Sequence, residues 1–129
     1  MPLLIHGDQP REVWREGVES RLRCGAPTGA SALTVFEQWC TPGRGAPRHW
    51  HDVEELLTVL SGVAELEIDG ECVLASEGCS ALIPAGARHG FTNMGEGDLH
   101  MLAVLSAPVF EAHFEGDGMV SRRWTSERA

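Results

Sequence analysis

An all-β fold, a sandwich or a barrel, is what this 129-residue sequence predicts. Three observations carry that reading. Short β-prone stretches recur at even spacing, Gly- and Pro-rich turn signals separate them, and one pair of stretches has the signature of a tight hairpin. Many short strands between such punctuation favour two packed sheets or a closed barrel over a helical or α/β architecture.

Taken in order, the predicted strands are VESRLR (18–23), ALTVFEQW (32–39), ELLTVLS (55–61), VAELEI (63–68), CVLA (72–75), SALIP (80–84), HGFTN (89–93) and HMLAVL (100–105). TPGRGAP (41–47), SG (61–62), DG (69–70), EG (77–78), PAG (84–86) and GEGD (95–98) break them up. The clearest hairpin is AELEIDGECVLA, where Asp69-Gly70 sits between alternating apolar and polar residues, as a type I′ turn requires. Ala64, Leu66 and Ile68 share one face of that strand. Glu65, Glu67 and Asp69 share the other, which reads as solvent-facing because burying several unpaired acids is costly. Residues 8–17 fit a strand or a turn, and VFEAHF (109–114) fits a short helix or an edge strand. No second domain, linker or internal repeat is visible.

Composition removes several function classes. Hydrophobic residues make up 43% of the chain, which fits a folded domain. The net charge of −9 argues against a nucleic-acid grip, and no apolar run has the length of a membrane span. The N-terminal MPLLIHGDQPREVW lacks a basic lead, so a cytoplasmic location and reduced thiols at Cys24, Cys40, Cys72 and Cys79 are expected. The chain has neither lysine nor tyrosine, so Schiff-base and tyrosine acid/base chemistry are not open to it. Nucleophile-elbow, phosphate-loop and HExxH patterns are missing too.

The stretch GRGAPRHWHDVEE (43–55) is the first with chemical content. His49 and His51 are two apart on a strand, so both imidazoles point to one face, while Trp50 points away into packing. Glu55 can join them only if Asp52-Val53-Glu54 turns the chain and Glu55 opens the next strand, with Leu57 and Val59 on its face. Glu54 then faces the opposite way. The second stretch is GCSALIPAGARHGFTN (78–93), in which the Pro84-Ala85-Gly86 turn delivers His89 to the start of a strand, with Phe91 on the same face.

These two stretches resemble the motifs of the cupin family. The first, G(x)5HxH(x)3–4E(x)6G, is met by Gly43, His49, His51, Glu55 and Gly62. The second, G(x)5PxG(x)2H(x)3N, is met by Gly78, Pro84, Gly86, His89 and Asn93. The resemblance implies a double-stranded β-helix, or jelly roll. It also implies that His49, His51, Glu55 and His89 hold one divalent transition metal, with Fe, Mn, Ni, Co and Zn all compatible. A barrel carrying these residues without a metal is the competing reading. Asn93 and the motif glycines read as turn and packing residues.

Within that picture, residues 31–108 form the barrel and 109–129 a C-terminal extension. Residues 1–30 supply N-terminal strands that could be exchanged in a homodimer. Phe91, Gln38, Leu57 and Val59 are the expected pocket residues, and Glu55 could act as a base if it leaves the metal. Which face of strand 32–39 lines the pocket is open. Arg48 and Arg88 precede ligand histidines and should face outward; His6, His100 and His113 read as surface or structural. The leading function is an enzyme performing metal-dependent, dioxygenase-type oxidation or cleavage of a small organic acid, enol or phenolic compound. A metal-dependent isomerase or lyase and a non-catalytic small-molecule binder or sensor are the alternatives.

Overall fold

The computed structural model describes residues 2–126. Twelve strands run in chain order: β1 (Glu12–Arg15), β2 (Val18–Cys24), β3 (Thr34–Cys40), β4 (Gly45–Trp50), β5 (Glu55–Ser61), β6 (Val63–Ile68), β7 (Glu71–Ser76), β8 (Ser80–Ile83), β9 (His89–Asn93), β10 (Leu99–Leu105), β11 (Phe110–Phe114) and β12 (Val120–Arg123). They form two six-stranded antiparallel sheets, ordered β1-β2-β3-β10-β5-β8 and β12-β11-β4-β9-β6-β7. From β3 onward the chain crosses repeatedly between the sheets, which is the double-sheet jelly-roll solution to the edge-strand problem.

Period-2 patterning explains why these residues pair face to face. Along β10, Leu99, Met101, Ala103 and Leu105 are buried and the residues between them are half-buried. The DG hairpin is observed: Asp69 and Gly70 both have positive φ, 48° and 89°, and the strands pair from Ile68↔Glu71 back to Val63↔Ser76. VFEAHF resolves as a strand, not a helix. Phe110 and Ala112 alternate into the core, and the strand pairs with β4 and β12. Residues 12–15, left between strand and turn by their sequence, form β1 against β2.

The flanking strands are integral to the two sheets. β1 and β2 extend the first, while β11 and β12 extend the second. The four cysteines are unpaired, and Cys40, fully buried, has its thiol pushed up to about 12 by that burial. No helix among the described residues is long and apolar enough to cross a membrane.

Candidate metal centre

A change of sheet brings the donors together. β4 ends at Trp50 in one sheet and β5 begins at Glu55 in the other, with His51 to Glu54 making the crossing. His49 and His51 therefore reach inward from one wall and Glu55 from the facing one. The Pro84 turn closes with Ala87 N–H donating to the Pro84 carbonyl at 3.1 Å. Gly86 in that turn has φ 82°, a left-handed conformation that favours glycine, and its N–H donates to the His51 carbonyl at 2.8 Å. The turn is thus fastened to the HxH stretch before it delivers His89, which lies opposite His49 in the β4–β9 ladder.

Four ligating atoms, one each from His49, His51, Glu55 and His89, lie within 4.8 Å of one another, and all four residues are buried. The ring centroids of His49 are 4.9 Å from His51 and 4.3 Å from His89. Such spacing gathers into one place four donors of the kinds that bind a transition metal at about 2.0–2.2 Å.

Donor chemistry decides whether a cation fits there. Nδ1 of His49 faces the Pro47 carbonyl at 2.7 Å, Nδ1 of His51 the Glu111 carbonyl at 2.7 Å, and Nδ1 of His89 the Ala87 carbonyl at 2.9 Å. A carbonyl only accepts, so each Nδ1 carries the proton and each neutral ring turns a bare Nε2 lone pair inward. Three lone pairs and a carboxylate then face one another with no donor among them. The Nε2 of His51 is buried and has no hydrogen-bond partner. The 3.0 Å contact between His89 Nε2 and Glu55 Oε1 needs a proton or a cation in the gap. A divalent ion satisfies all four groups at once, and the residues fit it.

The electrostatics agree. Burial, reinforced by the neighbouring imidazoles, holds His49 down at about 3. Burial alone would raise the Glu55 carboxyl, but the imidazoles of His51 and His89 more than offset it and keep it near 2. His51 is raised despite its burial because Glu55 favours its charged form. Positive charge is wanted at the centre of this group.

Around the donors lies a narrow cavity lined by Trp14, Phe36, Gln38, Leu57, Phe91 and Phe110, among others, with about 10 Å³ of enclosed free space, room for one water or an ion. Gln38, Leu57 and Phe91 are among the residues that line it. Val59, on the same face of β5, is buried in the core and is not part of this lining. The open question about β3 has its answer: Phe36 and Gln38 face the cavity, while Glu37 turns to the outer side of the sheet, where it meets Arg21, Arg23 and His100.

Trp14 and Phe110 are wall residues that sequence reasoning missed. They come from β1 and β11, outside the matched motifs, and no spacing signal marks them. Phe110 lies 5.4 Å from the His51 ring and 5.6 Å from Trp14. Arg48 and Arg88 face outward. Arg48 pairs with Glu67 and Glu115, and Arg88 covers the Trp50 ring at 3.7 Å. His100 and His113 are satisfied by Glu37 and Asp52.

The model of the cupin domain family matches residues 39–105. This chain is a cupin. Over 83 residues this cupin is 31% identical to the polyketide synthase CurC of Streptomyces cyaneus, a match taking in 64% of this chain and 51% of that protein. It thus spans about half the length of the curated relative it matches. The polyketide cyclase RemF from Streptomyces resistomycificus has a similar structure, with a TM-score of 0.72 and 25% identity over 82% of this chain and 79% of that one. A sugar phosphate isomerase of the cupin superfamily from Silicibacter pomeroyi gives a TM-score of 0.76 at 24% identity, over 95% of this chain and 87% of its own. Within the cupin, Asn93 is structural: its Nδ2 donates to the Cys40 and Gly97 carbonyls and its Oδ1 accepts from Gly95 N–H.

Proposed function

We propose that this cupin is a metal-dependent enzyme acting on a small enolic or phenolic compound of polyketide type. The observation that carries the reading is the all-acceptor His₃Glu group set in an aromatic-walled cavity. A bound divalent ion would supply Lewis acidity to a carbonyl or enol oxygen, or activate water or dioxygen. The likeness to RemF and CurC supports the Lewis-acid use, in ring closure, isomerisation or elimination. The protein's own part is to hold the donors and, with the apolar wall of Phe36, Phe91 and Phe110, to exclude bulk water from the open side of the ion. Glu55, held near 2, is a poor base and a good anionic ligand.

Dioxygenase-type oxidation or cleavage is the second reading. It is favoured by the donor set itself, since His49, His51, Glu55 and His89 would hold a divalent transition metal able to activate dioxygen. A single experiment separates the readings. The protein, purified without chelator, is analysed for bound metal and then incubated with a panel of aryl β-diketones, phenols and small acids while oxygen uptake and product mass are followed. Products isomeric with substrate, or differing by water, formed without oxygen uptake and lost in His49→Ala, are the expected result. Oxygen consumption that needs both metal and His49 would establish the oxidative reading. Saturable binding with no turnover of any compound would leave a binder or sensor. The expected homodimer, with residues 1–30 as its exchanged segment, is checked by light scattering of the full chain and of a chain lacking them.

A further inference from the structure

One polar side chain in the wall of the metal cavity has no partner in the protein. Gln38 lies on β3 between Ser20 of β2 and Met101 of β10, so the three side chains leave the sheet on the same side. Gln38 is 4% exposed and lines the same void as His49, His51, Glu55 and His89. Its neighbours leave the amide nothing to bond. Ser20 Oγ accepts from Arg123 Nη2 at 2.8 Å, and Met101 offers only a thioether. Phe36, Leu57, Phe91 and Phe110 make up the apolar wall around it. The amide forms no hydrogen bond to any described residue, and it borders the void instead. A straight apolar side chain would fill the position without the cost of an unpaired amide. The amide is kept for a partner that the protein chain does not supply.

Its chemistry complements that of the four donors. The Nδ1 protons of the three histidines are committed to the Pro47, Glu111 and Ala87 carbonyls. Their Nε2 atoms and the Glu55 carboxylate therefore offer lone pairs only, and the void is short of hydrogen-bond donors. The Gln38 amide brings an Nε2–H to it. The void has room for about one water, so what enters it beside an ion is one small atom and not a ring. An N–H donor favours an oxygen that carries negative charge.

We propose that Gln38 is a positioning residue of the metal centre, whose Nε2–H donates to the anionic oxygen of the ligand that enters the void beside the four donors. Hydroxide and the enolate or phenolate oxygen of a larger molecule have that chemistry. The inference rests on the metal-dependent reading above and adds to it a preference for anionic over neutral oxygen. The alternative is a Gln38 that only packs between β2 and β10.

Fluoride, a water-sized anion that accepts hydrogen bonds, is the probe. Its affinity for the Mn(II)-loaded full chain is read by fluorine NMR relaxation, and bound Mn(II) by elemental analysis. Gln38→Met keeps the length of the side chain and removes the N–H. It should weaken fluoride binding roughly tenfold, with bound Mn(II) unchanged. Because the amide has no partner in the protein, the Tm of the metal-free variant should be no lower than that of wild type. Gln38→Leu carries the test if the methionine variant does not fold. Unchanged fluoride affinity would assign the donor to another group, and no fluoride binding by the loaded wild type would leave the amide without a ligand; either overturns the proposal. A lower Tm of the metal-free variant would show the amide bonded within the protein and overturn it as well. Failure of the functional reading looks different: no compound is turned over, yet fluoride still binds at Mn(II) in a manner that needs Gln38.

Discussion

Glu37 shows how much one side chain can hold. It is buried on the outer side of β3, opposite Arg21, with Arg23 and His100 also on its carboxylate. Burial would raise its carboxyl, but the two arginines and His100 outweigh that and hold it near 2, against an ordinary 4.5. The difference corresponds to about 3 kcal/mol of stability. Because the folded value lies below the unfolded one, that contribution is fully present above about pH 4.5 and is lost as pH falls toward 2. Glu37→Gln should therefore cost on the order of 3 kcal/mol in urea unfolding at pH 7 and much less at pH 3, where the wild type has itself given up part of the term. An equal cost at both values would mean that the pairing contributes nothing. At the centre, His49→Ala and His89→Ala should each lose most of the bound metal by elemental analysis. Glu54→Gln, which alters an exposed side chain pointing away, should retain it. Full retention in both histidine variants would show that the ion lies elsewhere.

The β4–β9 crossing sets how far apart His49 and His89 stand, and its closeness depends on small residues. A Cβ on Gly45 would collide with the Phe91 carbonyl, and one on Gly90 would come within 2.7 Å of the Ala46 carbonyl. Gly45→Ala should cost about 1–3 kcal/mol by forcing the strands apart, and bound metal should fall with it as the two imidazoles separate. A stable variant with full metal content would contradict this account. The same pair of strands shows what was legible in the sequence. The bounds of β5, β6 and β9 were readable from alternation and turn residues, because period 2 and the DG and PAG turns are local signals. His49 and His51 were readable as one face because a gap of two on a strand fixes it; Glu55 and His89 joined them only through the resemblance to the cupin motifs. Trp14 and Phe110 were not readable, since nothing local tells a strand at or beside a sheet edge which residues of a distant strand it will cover. The face of β3 was undetermined for a related reason: Glu37 lies as deep as Phe36, its burial made tolerable by arginines on another strand, so polarity alone did not distinguish inside from outside.

Across the whole molecule, an ion that binds only the folded chain must stabilise it by linkage. At a hundredfold excess over its Kd the gain is about 2.7 kcal/mol, which for a domain of this size raises Tm on the order of 10 °C. Scanning calorimetry of chelator-treated protein with and without Mn(II) checks this, and no shift at any concentration would argue against a resident ion. The hydrogen bond from His51 Nδ1 to the Glu111 carbonyl spans 60 residues, and Glu55 meets His89 across 34. The walls that carry the HxH pair and Glu55 follow one another in the chain, but His89 comes from β9 and one support belongs to the penultimate strand. The binding constant is accordingly a gauge of completed assembly. A nascent or partly opened chain offers at most His49, His51 and Glu55, without His89, and should release its ion to a weak chelator long before its strands come undone, so the rate of metal loss would time the first breathing of the barrel.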